Sequence, residues 1–270
     1  MSAFVTTAAH DKRYKSGSHV DANGLNLALG VMADAKHDTG VATVGVYLEH
    51  GKSDYDSHLD NGVRADGDAN YLGVGIYAKE KINSGFYVDG GLRAGKVKAD
   101  YETYDVIPGM STTFETKNTY IGGHIGVGQE IQLGNNNDLD IYGNVAHTHT
   151  KGGNTTVDIH DPLGGIDHGT VHFDSVNSTR IKVGARDSIR LNDNNSLFVG
   201  AAYQYEFKNT ANGQVLGTEI AAPSMKGSSG QAEFGYKYSG EQLEFKAGVK
   251  GSVGKERGVS GNIGVRYNFK

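Results

Sequence analysis

The last residues of the chain alternate between apolar and polar side chains. Apolar or aromatic residues, together with one glycine, occupy every second position from Val259 to Phe269, and small or polar residues lie between them. A period of two residues indicates a β-strand with one apolar and one polar face. A strand of this kind that ends in Tyr267-x-Phe269 is typical of the closing strand of a transmembrane β-barrel.

Alternating segments of the same kind recur along the whole chain, separated by clusters of glycine, asparagine and aspartate. When these clusters are taken as turns, the pattern predicts about twelve strands. The predicted strands lie near 3–14, 24–36, 41–56, 69–81, 86–101, 117–133, 139–150, 178–191, 196–208, 229–239, 241–253 and 256–269. Because the number is even, both chain ends are expected at the same end of the sheet.

The predicted connections fall into a short and a long class, which alternate along the chain except for a last hairpin near Gly254. The short class is His37–Gly40, Ile82–Gly85, Gly134–Asp138, Asn192–Asn195 and Ser239–Gly240. The long class is Lys15–Asn23, Ser57–Asp68, Glu102–Thr116, Lys151–Asn177 and Thr210–Lys226, and it holds Pro108, Pro162 and Pro223. Short turns at one end and long loops at the other are typical of outer-membrane barrels.

This segregation of loop lengths predicts the fold class. We expect one all-β domain over residues 1–270, a transmembrane up-and-down antiparallel β-barrel of about 12 strands in the bacterial outer membrane. Its short turns and both chain ends are expected on the periplasmic side.

Within each predicted strand, one parity carries the apolar residues and is expected to face lipid. This set comprises Leu25, Leu27, Leu29, Val31, Val44, Val46, Leu48, Leu72, Val74, Ile76, Phe86, Val88, Leu92, Ile121, Ile125, Val127, Leu139, Ile141, Val145, Ile181, Val183, Ile189, Leu197, Val199, Phe234, Tyr236, Leu243, Phe245 and Val249. Gln129 and Asp187 share this parity although they are polar. We expect either a bulge at these two positions or a location near the membrane interface.

The opposite parity carries the charges and is expected to line the lumen. The predicted lumen residues are Glu49, Lys79, Asp89, Arg93, Glu130, Arg180, Lys182, Arg186, Arg190, Glu244, Lys246 and Arg266, accompanied by Tyr47, Tyr77, Glu206, Glu233, Lys237 and Lys250. About twelve strands enclose more space than side chains can fill. The pattern therefore predicts a hydrated, charged pore without an apolar plug.

Composition adds limits to this interpretation. The mean hydropathy is negative, and no apolar run approaches the roughly 18 residues that a spanning helix needs. The chain has no cysteine, 40 glycines and a net charge of −5, and the acidic balance argues against nucleic-acid binding. No signal peptide precedes Ala3, so we expect the sequence to be a piece of a longer exported protein.

Sequence motifs for metal or cofactor chemistry are weak. His147 and His149 share a strand face, and His160, His168 and His172 lie in the 151–177 segment, but no closed ligand set accompanies them. We therefore expect no metal, no cofactor and no enzymatic activity.

The basic row Arg180, Lys182, Arg186 and Arg190 either binds an anion or faces acidic lumen groups, and charge ladders along hydrophilic pores favour the second alternative. Tyr203, Tyr205 and Phe207 are predicted to belong to an interfacial aromatic girdle.

Several segments carry a family resemblance. They are 13–21 (RYKSGSHVD), 46–55 (VYLEHGKSDY), 71–77 (YLGVGIY), 85–95 (GFYVDGGLRAG) and the terminal Tyr267-x-Phe269. In their order and spacing they resemble the translocator domain of monomeric autotransporters, the type V secretion family. The resemblance covers essentially the whole chain.

The resemblance implies a 12-stranded outer-membrane barrel that supports export of an N-terminal passenger through or alongside its lumen. It implies a helical linker ahead of the first strand, so linker and passenger are expected to be missing from this sequence. Ile263, Val265, Tyr267 and Phe269 match the family's assembly signal, although Lys270 follows the usual terminal phenylalanine. The implied partners are outer-membrane lipids and lipopolysaccharide, the barrel-assembly machinery, and the protein's own linker and passenger. The barrel itself is expected to be a monomer.

Two other functions remain open on the sequence alone. One is a passive diffusion porin. The other is an outer-membrane hydrolase with a site at the extracellular rim, for which Asp105, Asp158, Asp161, His160 and His172 are available.

Overall fold

The computed structural model describes residues 1–16, 19–59, 62–105, 109–208, 213–215, 218–220 and 224–269. Gly17, Ser18, Pro108, Thr210, Pro223 and Lys270, which the sequence analysis named, lie outside these ranges. Every regular element in the described residues is a strand. The described part of the chain contains no helix with the length and apolar character that would let it cross a membrane.

The strands are β1 Ser2–Lys15, β2 His19–His37, β3 Gly40–His58, β4 Arg64–Ile82, β5 Phe86–Thr103, β6 Ser111–Leu133, β7 Asn137–Thr150, β8 Gly153–His160, β9 Ile166–Phe173, β10 Val176–Arg190, β11 Asn195–Lys208, β12 Gly213–Val215, β13 Thr218–Ile220, β14 Gly227–Ser239, β15 Leu243–Gly254 and β16 Glu256–Asn268. Their bounds agree with the twelve predicted strands to within a few residues at most ends. The exceptions are β8, β9, β12 and β13, which were not predicted.

Twelve of the strands form a closed antiparallel barrel in the order β1 to β7, β10, β11, β14, β15 and β16. The first strand pairs with the last, with Ser2 opposite Asn268 and Val5 opposite Val265. Pairing of β6 with β7 completes the ring. This arrangement confirms the predicted all-β barrel and places both chain ends beside the short turns.

Three of the connections predicted to be long are extended hairpins instead. Strand pairing continues through Arg13 opposite Asp21, Asp56 opposite Asp66 and Glu102 opposite Thr113. Beyond the membrane, neither face of the sheet needs apolar residues. Both faces therefore carry polar and charged side chains, and the sequence lacks the alternation that predicts a strand. Backbone hydrogen bonds hold the ladder there whatever the side chains are.

The 151–177 segment, predicted as a loop, contains the hairpin of β8 and β9. Strand β8 pairs with the outer end of β6, where Val157 lies opposite Phe114. Phe114 stacks on Tyr101 with a ring-centroid distance of 4.4 Å and lies 5.3 Å from the ring of Phe173. These rings form a small apolar core on the inner side of the extracellular extension, and that core stabilises the hairpin.

The apolar parity forms a belt on the outside of the barrel. Leu72, Leu92 and Ile125, for example, are 63 %, 59 % and 60 % exposed, as lipid-facing side chains are when only protein is considered. Gln129 donates from Nε2 to the Ser84 carbonyl oxygen at 2.7 Å, beside a short turn. Asp187 accepts from Asn137 Nδ2 at 2.9 Å. Both polar exceptions therefore lie near the periplasmic interface, and the register shift in β10 lies elsewhere, between Thr179 and Arg180.

Aromatic rings pack against glycines on the inner face. A Cβ atom built on Gly73 would lie 2.1 Å from Tyr120 Oη, and one on Gly235 would lie 2.2 Å from Phe198 Cζ. Glycine is required there because no side chain fits beneath the ring. Phe198 is only 4 % exposed, so the lumen holds a buried aromatic side chain that was not among the predicted lumen residues.

Candidate functional site: the lumen of the barrel

A network of four side chains joins β3, β5, β6 and β7 across the inner face. Tyr120 Oη donates to Glu49 Oε1 at 2.6 Å. Arg93 Nη1 donates to Glu49 Oε2 at 3.4 Å, and Arg93 Nη2 donates to Thr148 Oγ1 at 3.4 Å. Glu49 and Tyr120 are 7 % and 8 % exposed. The structure thus brings together two predicted lumen residues, Glu49 and Arg93, around an aromatic ring.

Replacement of Tyr120 with phenylalanine is expected to lower the free energy of unfolding by about 1–2 kcal/mol, because it removes a hydrogen bond to a buried carboxylate. Urea unfolding of the refolded barrel in detergent micelles measures this change. Tyr205→Phe is the matched control, since the Tyr205 hydroxyl has no hydrogen-bond partner among the described residues. Equal stability of the two variants would contradict this role for Tyr120.

A second network lies on the wall formed by β10, β11, β14 and β15. Arg186 Nε donates to Glu233 Oε1 at 2.7 Å. The Arg186 guanidinium lies 5.2 Å from the centroid of the Phe198 ring, and Lys246 Nζ lies 4.7 Å from it. Phe198 therefore supports two cations of the lumen by cation–π contacts.

The arginines of the basic row each have a carboxylate partner. Arg180 Nε pairs with Glu206 Oε2 at 3.0 Å, and Arg190 Nη2 pairs with Asp138 Oδ2 at 2.9 Å. The three arginines of the row therefore face acidic lumen groups, as the favoured alternative predicted. Lys182 has no carboxylate partner of this kind in the part of the chain that the structure describes.

The remaining predicted lumen residues have mixed surroundings. Glu130 pairs with Lys81 and Arg266 pairs with Asp34, while Asp89 lies 3.3 Å from His124 Nε2. Lys79 Nζ lies 3.8 Å from the centroid of the Tyr87 ring. Glu244 Oε2 lies 3.9 Å from Lys237 Nζ.

The inner face encloses a cavity of about 840 Å³ in the periplasmic half of the barrel. Charged and aromatic side chains line it together, among them Tyr47, Tyr77, Arg186, Phe198, Lys246 and Arg266. The lumen is thus partly open, and its walls combine charged side chains with aromatic rings.

Side chains of the C-terminal strand that match the assembly signal lie on the outside of the barrel. Ile263, Tyr267 and Phe269 are exposed, and Val265 shares their parity opposite Val5. The rings of Tyr267 and Phe269 are 5.4 Å apart. The Phe269 N–H donates to the Met1 carbonyl oxygen at 2.9 Å, so the apolar strand end lies at the seam between β16 and β1.

The histidines form separate hydrogen bonds at the extracellular end. His149 donates to Asn177 Oδ1 at 2.9 Å, His172 donates to Asn154 Oδ1 at 2.6 Å, and His168 donates to Asp158 Oδ1 at 2.7 Å. In the described ranges no group of three or more histidine or carboxylate side chains is placed to hold a metal ion.

Charged side chains cover the outer face above the apolar belt. Lys117 and Lys98 donate to Glu115, with Nζ–oxygen distances of 2.5 and 2.7 Å, and they lower the pKa of Glu115 to about 2. Because the pKa of Glu115 is lowered, its ion pairs stabilise the fold above the ordinary carboxyl pKa, and this stabilisation is lost as the pH falls towards 2. Asp56 shows the opposite shift, because desolvation and the neighbouring Asp66 raise its pKa.

Sequence reasoning missed several partners of the lumen charges. Asp138 and Asp140 line the cavity at the periplasmic end, and Asp34 pairs with the lumen residue Arg266. Lys12 pairs with Glu256 at 2.9 Å. Parity identifies Asp34, Asp138 and Asp140 once the strand bounds are known, because they alternate with the predicted lipid-facing residues of β2 and β7. Which cation pairs with which carboxylate depends on the register between strands, which one sequence does not contain.

The barrel, its polar lumen and its apolar belt define a class of protein, the transmembrane β-barrels of the outer membrane. Within that class, the model of the family "Autotransporter beta-domain" matches residues 1–264. The chain belongs to this family. No curated sequence is significantly similar to it.

Solved structures agree with the family in fold. The chain is similar to the beta domain of the Bordetella autotransporter BrkA, with a TM-score of 0.75, 19 % identity, and coverage of 99 % of this chain and 98 % of that one. The transport unit of AIDA-I from Escherichia coli gives a TM-score of 0.69 at 14 % identity, covering 100 % and 91 %. The translocator domain of NalP from Neisseria meningitidis gives 0.69 at 17 % identity, covering 99 % and 88 %.

Family membership and fold together locate the protein in the bacterial outer membrane. They identify it as an outer-membrane barrel for passenger export and confirm the predicted family. The two alternatives, a porin and a rim-site hydrolase, are less supported.

Proposed function

We propose that residues 1–270 form one translocator domain whose lumen holds and passes a polypeptide segment preceding Ala3. A helical linker in the lumen joins the barrel to an N-terminal passenger outside the cell. The residues that contact this segment are the predicted lumen residues, with Glu49, Arg93, Arg186 and Glu244 among them. The barrel acts as a monomer and has no enzymatic activity of its own.

The observation that carries this proposal is the position of the N-terminus at the periplasmic mouth of a polar lumen. Strand β1 starts at Ser2, next to the end of β16 and to the short turns. A segment that precedes β1 therefore starts beside the cavity lined by Phe4, Thr6 and Arg266. Polar walls suit a polypeptide in transit, because they hydrogen-bond to its backbone without binding one sequence tightly.

Assembly and anchoring follow from the outer surface. We propose that the strand end formed by Ile263, Val265, Tyr267 and Phe269 is recognised by the barrel-assembly machinery through strand pairing. The apolar belt contacts outer-membrane lipids, and Tyr203 and Phe207, which are exposed near its extracellular edge, contact the headgroup region. Basic side chains above the belt contact lipopolysaccharide phosphates.

Surface display tests the export proposal. A signal peptide, a small reporter and a flexible linker are fused ahead of Ala3, and the reporter is detected by antibody or added protease on intact cells. We expect the reporter to reach the surface in most molecules that insert. A matched fusion to Lys270 should stay inside, because the C-terminus lies at the periplasmic end. Inserted barrels with no accessible reporter would contradict export and favour a porin.

A further inference from the structure

Three lysines on one side of the lumen form no ion pair with a carboxylate in the ranges that the structure describes. They are Lys182 on β10 and Lys246 and Lys250 on β15, all half-buried. The neighbouring arginines, Arg180, Arg186 and Arg190, are each paired. Three lysines without an ion pair among the described residues therefore share one wall, while Lys79 on β4, which also lacks one there, lies against the Tyr87 ring.

Strand register places Lys246 and Lys250 among the charged side chains of β10 and β14. One row across the sheet runs from Arg186 through Gly200 and Glu233 to Lys250. In the adjacent part of the wall Lys246 lies directly opposite Lys237. Like charges directly opposite in a sheet are destabilising unless something between them compensates.

The carboxylates nearest these lysines are engaged by other cations. Glu233 lies directly opposite Lys250 but pairs with Arg186 at 2.7 Å. Glu256 pairs with Lys12 at 2.9 Å. Glu244 lies 3.9 Å from Lys237, and Asp140 accepts from the Tyr87 hydroxyl at 3.0 Å. Instead of carboxylates, aromatic rings face two of the lysines: Lys246 Nζ is 4.7 Å from the Phe198 centroid and Lys182 Nζ is 6.0 Å from the Tyr142 centroid. These contacts favour a cation but leave its hydrogen-bond donors available.

We infer that this wall binds the carboxylates of an acidic polypeptide segment in the lumen, and that the pore is anion-selective when that segment is absent. The inference rests on the proposed function, which supplies a polypeptide as the occupant. The inference adds that the occupant is acidic and that its carboxylates face the wall of Lys182, Lys246 and Lys250.

The spacing of the lysines favours a polypeptide over a small anion. Lys246 and Lys250 are four residues apart on one strand, which separates their Cα atoms by roughly 13 Å. One carboxylate or phosphate group cannot bridge that distance. A chain with two or more acidic side chains can contact both lysines and Lys182 at once, and each contact removes an unpaired charge from a partly desolvated site.

Ion selectivity of the purified barrel is the first test. In planar bilayers with a KCl gradient, the reversal potential should show preference for chloride over potassium. The triple variant Lys182→Gln, Lys246→Gln, Lys250→Gln should lose that preference. The control Lys52→Gln, Lys96→Gln, Lys117→Gln removes the same charge from the outer face and should keep it. Cation selectivity of the unmodified barrel, or equal selectivity of both variants, would overturn the inference.

Block by oligopeptides is the second test. A glutamate oligomer of about ten residues, long enough to span the lysines at roughly 3.3 Å per residue, should reduce the current, and a lysine oligomer should not. The lumen variant should need at least about fivefold more oligomer, since exposed ion pairs contribute up to about 1 kcal/mol each. Block that is unchanged in the lumen variant would refute the site. Resistance of the folded band to heat on gels confirms that each variant is folded, and reporter display, measured separately, decides the export proposal.

Discussion

Replacement of Tyr267 and Phe269 with serine is expected to reduce the amount of barrel inserted in cells by at least about tenfold, while refolding in detergent stays largely intact. Each substitution removes about 2 kcal/mol of apolar transfer free energy from the strand end, and it removes the aromatic pair at the seam with β1. In detergent the barrel closes by backbone pairing, which the substitutions leave unchanged. In cells the strand end must also be recognised before the barrel closes.

A matched control separates recognition from loss of apolar area. Phe234 and Tyr236 are also two aromatic residues on alternate positions, and they lie on the outer face of β14 rather than at the terminus. Serine at both removes a similar area but leaves the terminal strand unchanged. Insertion is measured as the heat-modifiable, membrane-bound fraction. Equal loss in both double variants would show that lipid-facing area, and not the terminal strand, determines insertion.

The strands of the barrel were predictable because lipid imposes a strict pattern on them. A charged side chain facing the bilayer midplane costs about 2–4 kcal/mol, so every spanning strand keeps its apolar residues on one parity. Strand β16 shows the pattern from Val259 to Phe269 and its bounds in the structure are Glu256–Asn268. Gln129 and Asp187 break the pattern only where the strand leaves the apolar belt.

The same reasoning fails where lipid no longer constrains the chain. The hairpin of β8 and β9 carries polar side chains on most positions, so its sequence is indistinguishable from a loop. Its small apolar core combines Phe114 with Phe173, which are far apart in the sequence and meet only through the pairing of β6, β8 and β9. Phe198 was likewise unassigned, because an aromatic residue facing the lumen needs the glycines of a neighbouring strand, such as Gly235, to accommodate it.

The charges of the lumen were assigned by parity, but their pairing was not predictable. Arg93 reaches Glu49 across β4, and Arg186 reaches Glu233 across β11. Such contacts skip a strand and depend on the curvature of the closed barrel. Which lysines stay without a carboxylate therefore becomes visible only in the structure.

A helix fused ahead of Ala3 is expected to lower the single-channel conductance of the barrel severalfold. Twenty residues of an (EAAAK) repeat span about 30 Å when helical, and such a helix has a diameter of about 10 Å with side chains. The N-terminus at Ser2 lies at the periplasmic mouth, so the fused helix starts beside the cavity of about 840 Å³. The helix should occupy that space and displace the water that carries ions, and its glutamates should face the wall of Lys182, Lys246 and Lys250.

The control for this experiment is a glycine–serine segment of equal length at the same position, which gains nothing by leaving the solvent and should reduce conductance less. A protease site between helix and Ala3 adds a second readout within one molecule, because cleavage should restore the current to the level of the unfused barrel. If the helical fusion conducts as well as the unfused barrel before cleavage, the lumen does not hold a preceding segment. A permanently open pore would then make passive diffusion the better account of this barrel.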